Sequence, residues 1–123
     1  MICKMEKSRK PDAIRENYLF SRVYSKGKSC FGRYAAVYYI KDRRKGGNTR
    51  IGITVSKSRG KAVVRNRVKR RIRETLRLLY PYMKEGYLIV AVARQPAVTA
   101  SYAELSGELA ELLNRAALLD TGK

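Results

Sequence analysis

Val63–Arg73 reads VVRNRVKRRIR, six cations and an asparagine in eleven residues, with Val64, Val68 and Ile72 recurring at every fourth position. At roughly 100° per residue, Val64, Val68, Ile72, Thr75, Leu76 and Leu79 fall within one arc of about 120°. Asn66, Arg70, Arg73 and Arg77 occupy the opposite arc, flanked by Lys69 and Glu74. A disordered basic tail needs no apolar stripe, and an ordinary core helix does not tolerate this charge. The stretch reads as a helix that packs on the protein by one face and presents a guanidinium row on the other.

Helix signals run from Gly60–Ala62 to Tyr80, where Pro81 blocks propagation. Upstream, Arg50–Ser56 (RIGITVS) reads as a strand with Ile51, Ile53 and Val55 on its apolar face. Phe31–Lys41 is aromatic and β-branched and reads as its hairpin partner across residues 42–48. Period two puts Tyr34, Ala36, Tyr38 and Ile40 on one face of that strand, and Ala35, Val37 and Tyr39 on the other. Tyr87–Ala93 is an uninterrupted apolar run, the mark of a strand covered on both faces. Ser101 and Glu104 form a capping box before a helix striped by Leu105, Leu109, Leu112, Leu113 and Ala116. A shorter amphipathic helix is expected over Asp12–Tyr24, closed by Gly27 as a left-handed residue.

The order helix, strand, strand, helix, strand, helix implies an α+β layer with helices on a small sheet. The strand–helix–strand segment 50–93 fits a parallel crossover, right-handed by default. The expected organisation is an arm over residues 1–12, a single domain over 13–119 and a tail over 120–123.

The 28 Lys and Arg against 10 Asp and Glu give a net charge of +18. Repulsion on that scale calls for a polyanionic partner. From Ile51 to Arg73 there is no acidic residue, while residues 57–73 carry nine Lys or Arg. Without acidic partners the row is self-repelling, and Arg offers a planar fork matched to phosphate oxygens. Nucleic-acid phosphates are therefore the expected target. No second helix stands at helix-turn-helix spacing, so DNA reading is not expected. The apolar face of helix 62–80 lacks Trp and Phe, which disfavours a membrane surface. No apolar run is long enough for a transmembrane helix, the first residues lack a signal-peptide core, and Cys3 and Cys30 are expected as free thiols in the cytoplasm. The chain has no His, so the usual parts of a catalytic triad or zinc site are missing.

Two points stay open on the residues alone. Arg65 lies nearer the apolar arc than the exposed one; it either emerges beside the sheet edge near Ser56 and Lys57 or marks a one-residue wobble of the helix. Phe20, Tyr34 and Tyr38 are either a stacking surface for unpaired bases or core.

Four segments in series resemble the bacterial ribonuclease P protein family: Phe20-x-x-Val23-Tyr24-x-x-Gly27, Arg50-Ile51-Gly52-Ile53-x-Val55-Ser56-Lys57, Ala62-Val63-x-Arg65-Asn66-Arg67-x-Lys69-Arg70-x-Ile72-Arg73, and Ala93-Arg94-x-Pro96-Ala97. The resemblance covers residues 13–119. It implies an α–β sandwich with a small mixed sheet and a left-handed β-α-β crossover, related to the second-domain fold of ribosomal proteins. It also implies a protein that assists a catalytic RNA in removing the 5′ leader from precursor tRNA. Magnesium would be held mainly by RNA, and no catalytic or metal-binding residue is expected on this chain. By motif, Phe20, Tyr24 and Tyr38 resemble residues of a leader groove, with Tyr34 at a position that is commonly polar. Ser56, Lys57, Arg65, Asn66, Arg70 and Arg73 resemble its polar and basic contacts, and Lys61 stands where Asn is common. Arg67 and Lys69 resemble the block that faces the catalytic RNA, and Arg77 extends the basic row. A ribosomal-type RNA binder without an enzymatic partner is the alternative.

Overall fold

The computed structural model describes residues 12–14, 17–42, 49–56 and 60–119. In chain order these form β1 (Asp12–Ala13), α1 (Asn17–Lys26), β2 (Lys28–Phe31), β3 (Ala35–Lys41), β4 (Arg50–Thr54), α2 (Ala62–Leu79), β5 (Tyr87–Ala93) and α3 (Tyr102–Arg115). Single 3-10 turns at Tyr80–Tyr82 and Gln95–Val98 bracket β5. Pro81 and Pro96 each occupy the first turn of their 3-10 segment, where a missing N–H costs nothing.

The strands form one sheet in the order β1-β4-β5-β3-β2. The most apolar strand, β5, takes the middle, antiparallel to β3 and parallel to β4. The expected hairpin between β3 and β4 is therefore not formed, because β5 lies between them. The hairpin is instead β2–β3, turned at Gly32–Tyr34 inside the stretch expected to be one strand. Its aromatic and β-branched composition masks the bend.

Two further expectations are corrected at the start of the chain. Asp12–Ala13 pairs in parallel with Arg50–Ile51, so α1 begins at Asn17 rather than Asp12. The expected arm over residues 1–12 lies outside the described residues except for Asp12, which is in β1. Gly27 is not a left-handed cap, since positive φ occurs only at Gly60, Gly86 and Ala117 among the described residues. It is required by close approach: a Cβ there would lie 2.5 Å from Val23 O and 2.6 Å from Tyr39 O, both backbone atoms.

Helices α2 and α3 cover one face of the sheet. Val68, Ile72 and Leu76 from α2, with Leu105, Leu109, Leu112 and Leu113 from α3, pack on Ala35, Val37, Ile51, Ile89 and Ala91. Helix α1 covers the lower part of the other face, where Leu19 and Val23 meet Ile14, Leu88 and Val90. Alternate residues of β5 thus belong to two cores, which is why its sequence shows no polar alternation. The capping box opens α3 as expected, with Ser101 Oγ accepting from Glu104 N and Glu104 Oε1 accepting from Ser101 N.

The hand of the β4–α2–β5 crossover follows from one hydrogen bond. Ile51 points its side chain at the α2–α3 layer, and its carbonyl accepts from Ile14 N at 3.0 Å on the β1 side. Viewed from that layer with β4 running upward, an L-residue facing the viewer directs its carbonyl to the right. Strand β1 is then to the right of β4 and β5 to the left, with α2 crossing in front. The crossover is left-handed, against the usual default.

Candidate nucleic-acid interface

On the α1 face, cross-strand register builds two adjacent rows. Gly52, Val90, Tyr38 and Ser29 form one, and Thr54, Val92, Ala36 and Phe31 form the next. Helix α1 lays Phe20 and Tyr24 over the β4 end of these rows. A Cβ on Gly52 would come within 2.7 Å of Phe20 Cε1 and Cζ, so only glycine lets this ring settle on the sheet. The Tyr24 hydroxyl is 3.2 Å from Thr54 Oγ1. Tyr24 meets Tyr38 edge to face with centroids 5.0 Å apart, and Tyr38 meets Phe31 in the same manner at 5.7 Å. Tyr24 is 41% exposed and Phe31 55%, while Phe20 and Tyr38 are half-buried. The result is an aromatic shelf open to solvent, in which Tyr38 is the ring that touches both neighbours.

Tyr34 is not part of this shelf. The bend at Gly32–Tyr34 takes it out of the strand's alternation, and it packs against the core on the α3 side, with the Arg33 guanidinium 5.8 Å from its ring centroid. Its backbone N–H and those of Arg33 and Ala35 all donate to the Glu108 carboxylate, at 2.6 to 2.9 Å. That carboxylate clips α3 to the β2–β3 turn.

Strand β4 leads from Thr54 through buried Val55 and exposed Ser56 towards α2; Lys57 lies outside the described residues. Lys61 stands at the N-cap of α2, exposed and without a side-chain cap. Arg65 Nε donates to Gly60 O at 3.1 Å, which holds the half-buried side chain back against the start of the helix. Asn66, Arg67, Arg70, Arg73 and Arg77 are exposed, and Lys69 is half-buried. Buried Val68, Ile72, Thr75 and Leu76 hold the opposite side, as the periodicity requires.

The row is not uniform. Arg77 Nη2 donates to Glu74 Oε1 at 2.9 Å, and this bond holds the Glu74 carboxyl below its ordinary range. Glu74 is therefore anionic at neutral pH and offsets Arg77, although an exposed pair of this kind contributes little to stability. Arg71, on the flank, donates from Nη1 to Ala100 O at 2.9 Å and ties α2 to the segment before α3. Asn66, Arg67, Arg70 and Arg73 are left as the outward set.

Thr54, Phe31 and Arg94 join the aromatic shelf without having been expected there. Arg94 lies 5.9 Å from the Phe31 ring centroid and donates from Nη1 to Gly32 O at 2.8 Å. The signal that could have found Phe31 was the break at Gly32, which marks a separate edge strand.

Comparison with known proteins agrees with the fold. The family model for ribonuclease P matches residues 9–117. The ribonuclease P protein component of Symbiobacterium thermophilum is 43% identical over 106 residues, covering 86% of this chain and 91% of that protein. That of Clostridium novyi is 42% identical over 110 residues, covering 89% and 97%. The Staphylococcus aureus RNase P protein structure superposes with a TM-score of 0.79 at 34% identity, over 87% of this chain and 96% of that one. The Thermotoga maritima protein gives 0.75 at 28% identity, over 85% and 96%. With a matching family model along most of its length, near relatives in sequence and the same fold, the chain belongs to the ribonuclease P protein family, the protein subunits of that ribonucleoprotein endoribonuclease.

Proposed function

We propose that this subunit seats the single-stranded 5′ leader of precursor tRNA on the α1-side aromatic shelf and lays the outward row of α2 on RNA phosphates. The observation that carries this reading is an exposed aromatic chain, Tyr24–Tyr38–Phe31, in the same small domain as a guanidinium row on α2, the helix that starts eight residues beyond Thr54. Unpaired bases offer π-faces to such rings, whereas paired bases do not. Arg67 and Lys69 suit the phosphates of the RNA subunit, and Arg70 and Arg73 those of the leader, because helix geometry fixes their spacing.

Hydrolysis itself is assigned to the RNA. The chain has no His, and among the described residues no three Cys, Asp or Glu side chains gather where a metal ion could be held. Magnesium would be held chiefly by RNA phosphates, with the cationic row lowering the repulsion between the RNA strands that it bridges. The cytoplasm, where precursor tRNA is matured, is the proposed place of work. No helix among the described residues is long and apolar enough to cross a membrane.

The test is reconstitution with the RNA subunit and a precursor tRNA. At low magnesium, cleavage should depend on added protein, and protein alone should not cleave. Cleavage that ignores the protein at every magnesium concentration would refute the reading.

Phosphate contact has its own measure. Arg70→Ala and Arg73→Ala should each lower the slope of log affinity against log salt by about one unit, since each contact displaces counterions. Arg77→Ala should lower it less, because Glu74 already occupies that guanidinium. A slope unchanged by the first two substitutions would remove them from the interface.

A further inference from the structure

Resting on the leader-binding reading, we infer that Phe31 and Arg94 form a terminal subsite at the β2 edge, where one unpaired leader base stacks on Phe31 and its phosphate meets Arg94. The row Thr54–Val92–Ala36–Phe31 crosses four strands in a single register. At about 4.8 Å per strand it spans roughly 14 Å. Tyr24 stands at its β4 end through the hydroxyl contact with Thr54, and Phe31 stands at the other. A strand of RNA that enters beside α2 and follows this row leaves the protein over Phe31.

Three features make Phe31 a contact rather than core. It sits on an edge strand and is 55% exposed, so packing does not account for an aromatic there. Its ring is propped edge-on by Tyr38, which fixes its orientation before any ligand arrives. Arg94 lies over one face of that ring and is anchored by one N–H to Gly32 O, which leaves other donors of its fork available to an anion. The Glu108 carboxylate, close to Gly32, is directed at three backbone N–H groups of the β2–β3 turn, and no ion pair of Arg94 with it occurs among the described residues. An aromatic face beside a cation is the pairing that holds a nucleotide of single-stranded RNA.

The experiment uses the reconstituted holoenzyme and precursor tRNAs whose leaders lengthen one nucleotide at a time. For the native protein, affinity should rise in steps and then level off. Phe31→Ala and Phe31→Leu should both lose the last step, by roughly 5- to 100-fold, the range of a single base–aromatic stack. Phe31→Tyr should restore it, and Arg94→Ala should reduce the same step. Phe31→Leu keeps an apolar side chain, so it separates loss of stacking from loss of packing, and a far-UV melt checks that each variant folds. Loss of equal size at every leader length, mature tRNA included, would overturn the subsite, as would no loss at any length. If native affinity showed no dependence on leader length, the leader-binding reading itself would fail. If it did show that dependence while the Phe31 variants tracked the native protein, only the subsite would fail.

Discussion

Tyr38→Ala is expected to weaken binding of a precursor tRNA with a long leader by about 1–3 kcal/mol, where each 1.4 kcal/mol is a factor of ten. Binding of mature tRNA should be nearly unchanged. The effect is placed at the high end of that range because Tyr38 is the ring that both Tyr24 and Phe31 touch. Removing it deprives the leader of one stacking face and leaves the two flanking rings without an edge to lean on. Tyr38→Phe keeps the ring and should keep most of the affinity, which separates stacking from any role of the hydroxyl. Parallel titrations of the two RNAs decide the matter. A loss of the same size for both would mean that Tyr38 is only a packing residue.

Glu108→Ala is expected to lower folding stability by about 2–4 kcal/mol, because it strips three charge-assisted hydrogen bonds from one turn. For a chain of this size that is a fall in Tm on the order of 10 °C. Glu108→Gln retains an accepting oxygen but turns an NH2 group towards the same backbone donors, so it should fall between the two. The clipped turn carries Gly32, whose carbonyl anchors Arg94, so Glu108→Ala should also blunt the dependence on the longest leaders. Thermal unfolding followed by circular dichroism measures the first effect. A Tm within a degree or two of the native value would show that water replaces the carboxylate at no cost.

Much of the architecture was legible in the sequence wherever a single period ran unbroken. Helix α2 could be read from Val68, Ile72 and Leu76, β5 from its unrelieved apolar run, and the α3 cap from Ser101 and Glu104. Strand pairing was not legible, because period two says which face a residue takes but not which neighbour its strand has. That is why β3 and β4 read as a hairpin although β5 separates them. Tyr34 was misplaced for a related reason: the alternation was carried through a bend that three N–H groups and a distant glutamate hold in place. On the α1 face, Phe20, Tyr24 and Tyr38, the three rings that the family motif marked, lie together. Phe31 and Arg94 were missed because their meeting depends on the β2–β3 turn, whose one local mark, Gly32, is outweighed by the aromatic and β-branched residues around it.

The central position of β5 also bears on how the protein comes into being. Tyr24, Tyr38 and Thr54 all emerge during synthesis well before Val92, yet β3 and β4 are joined into one sheet only when β5 lies between them. Until then the N-terminal portion is a strongly cationic polymer with aromatic side chains but no shelf on which to order them. Such a chain attracts every polyanion near the ribosome with little preference. Insertion of one apolar strand, late in translation, is the event that completes the sheet carrying Tyr24, Tyr38 and Phe31 on one face.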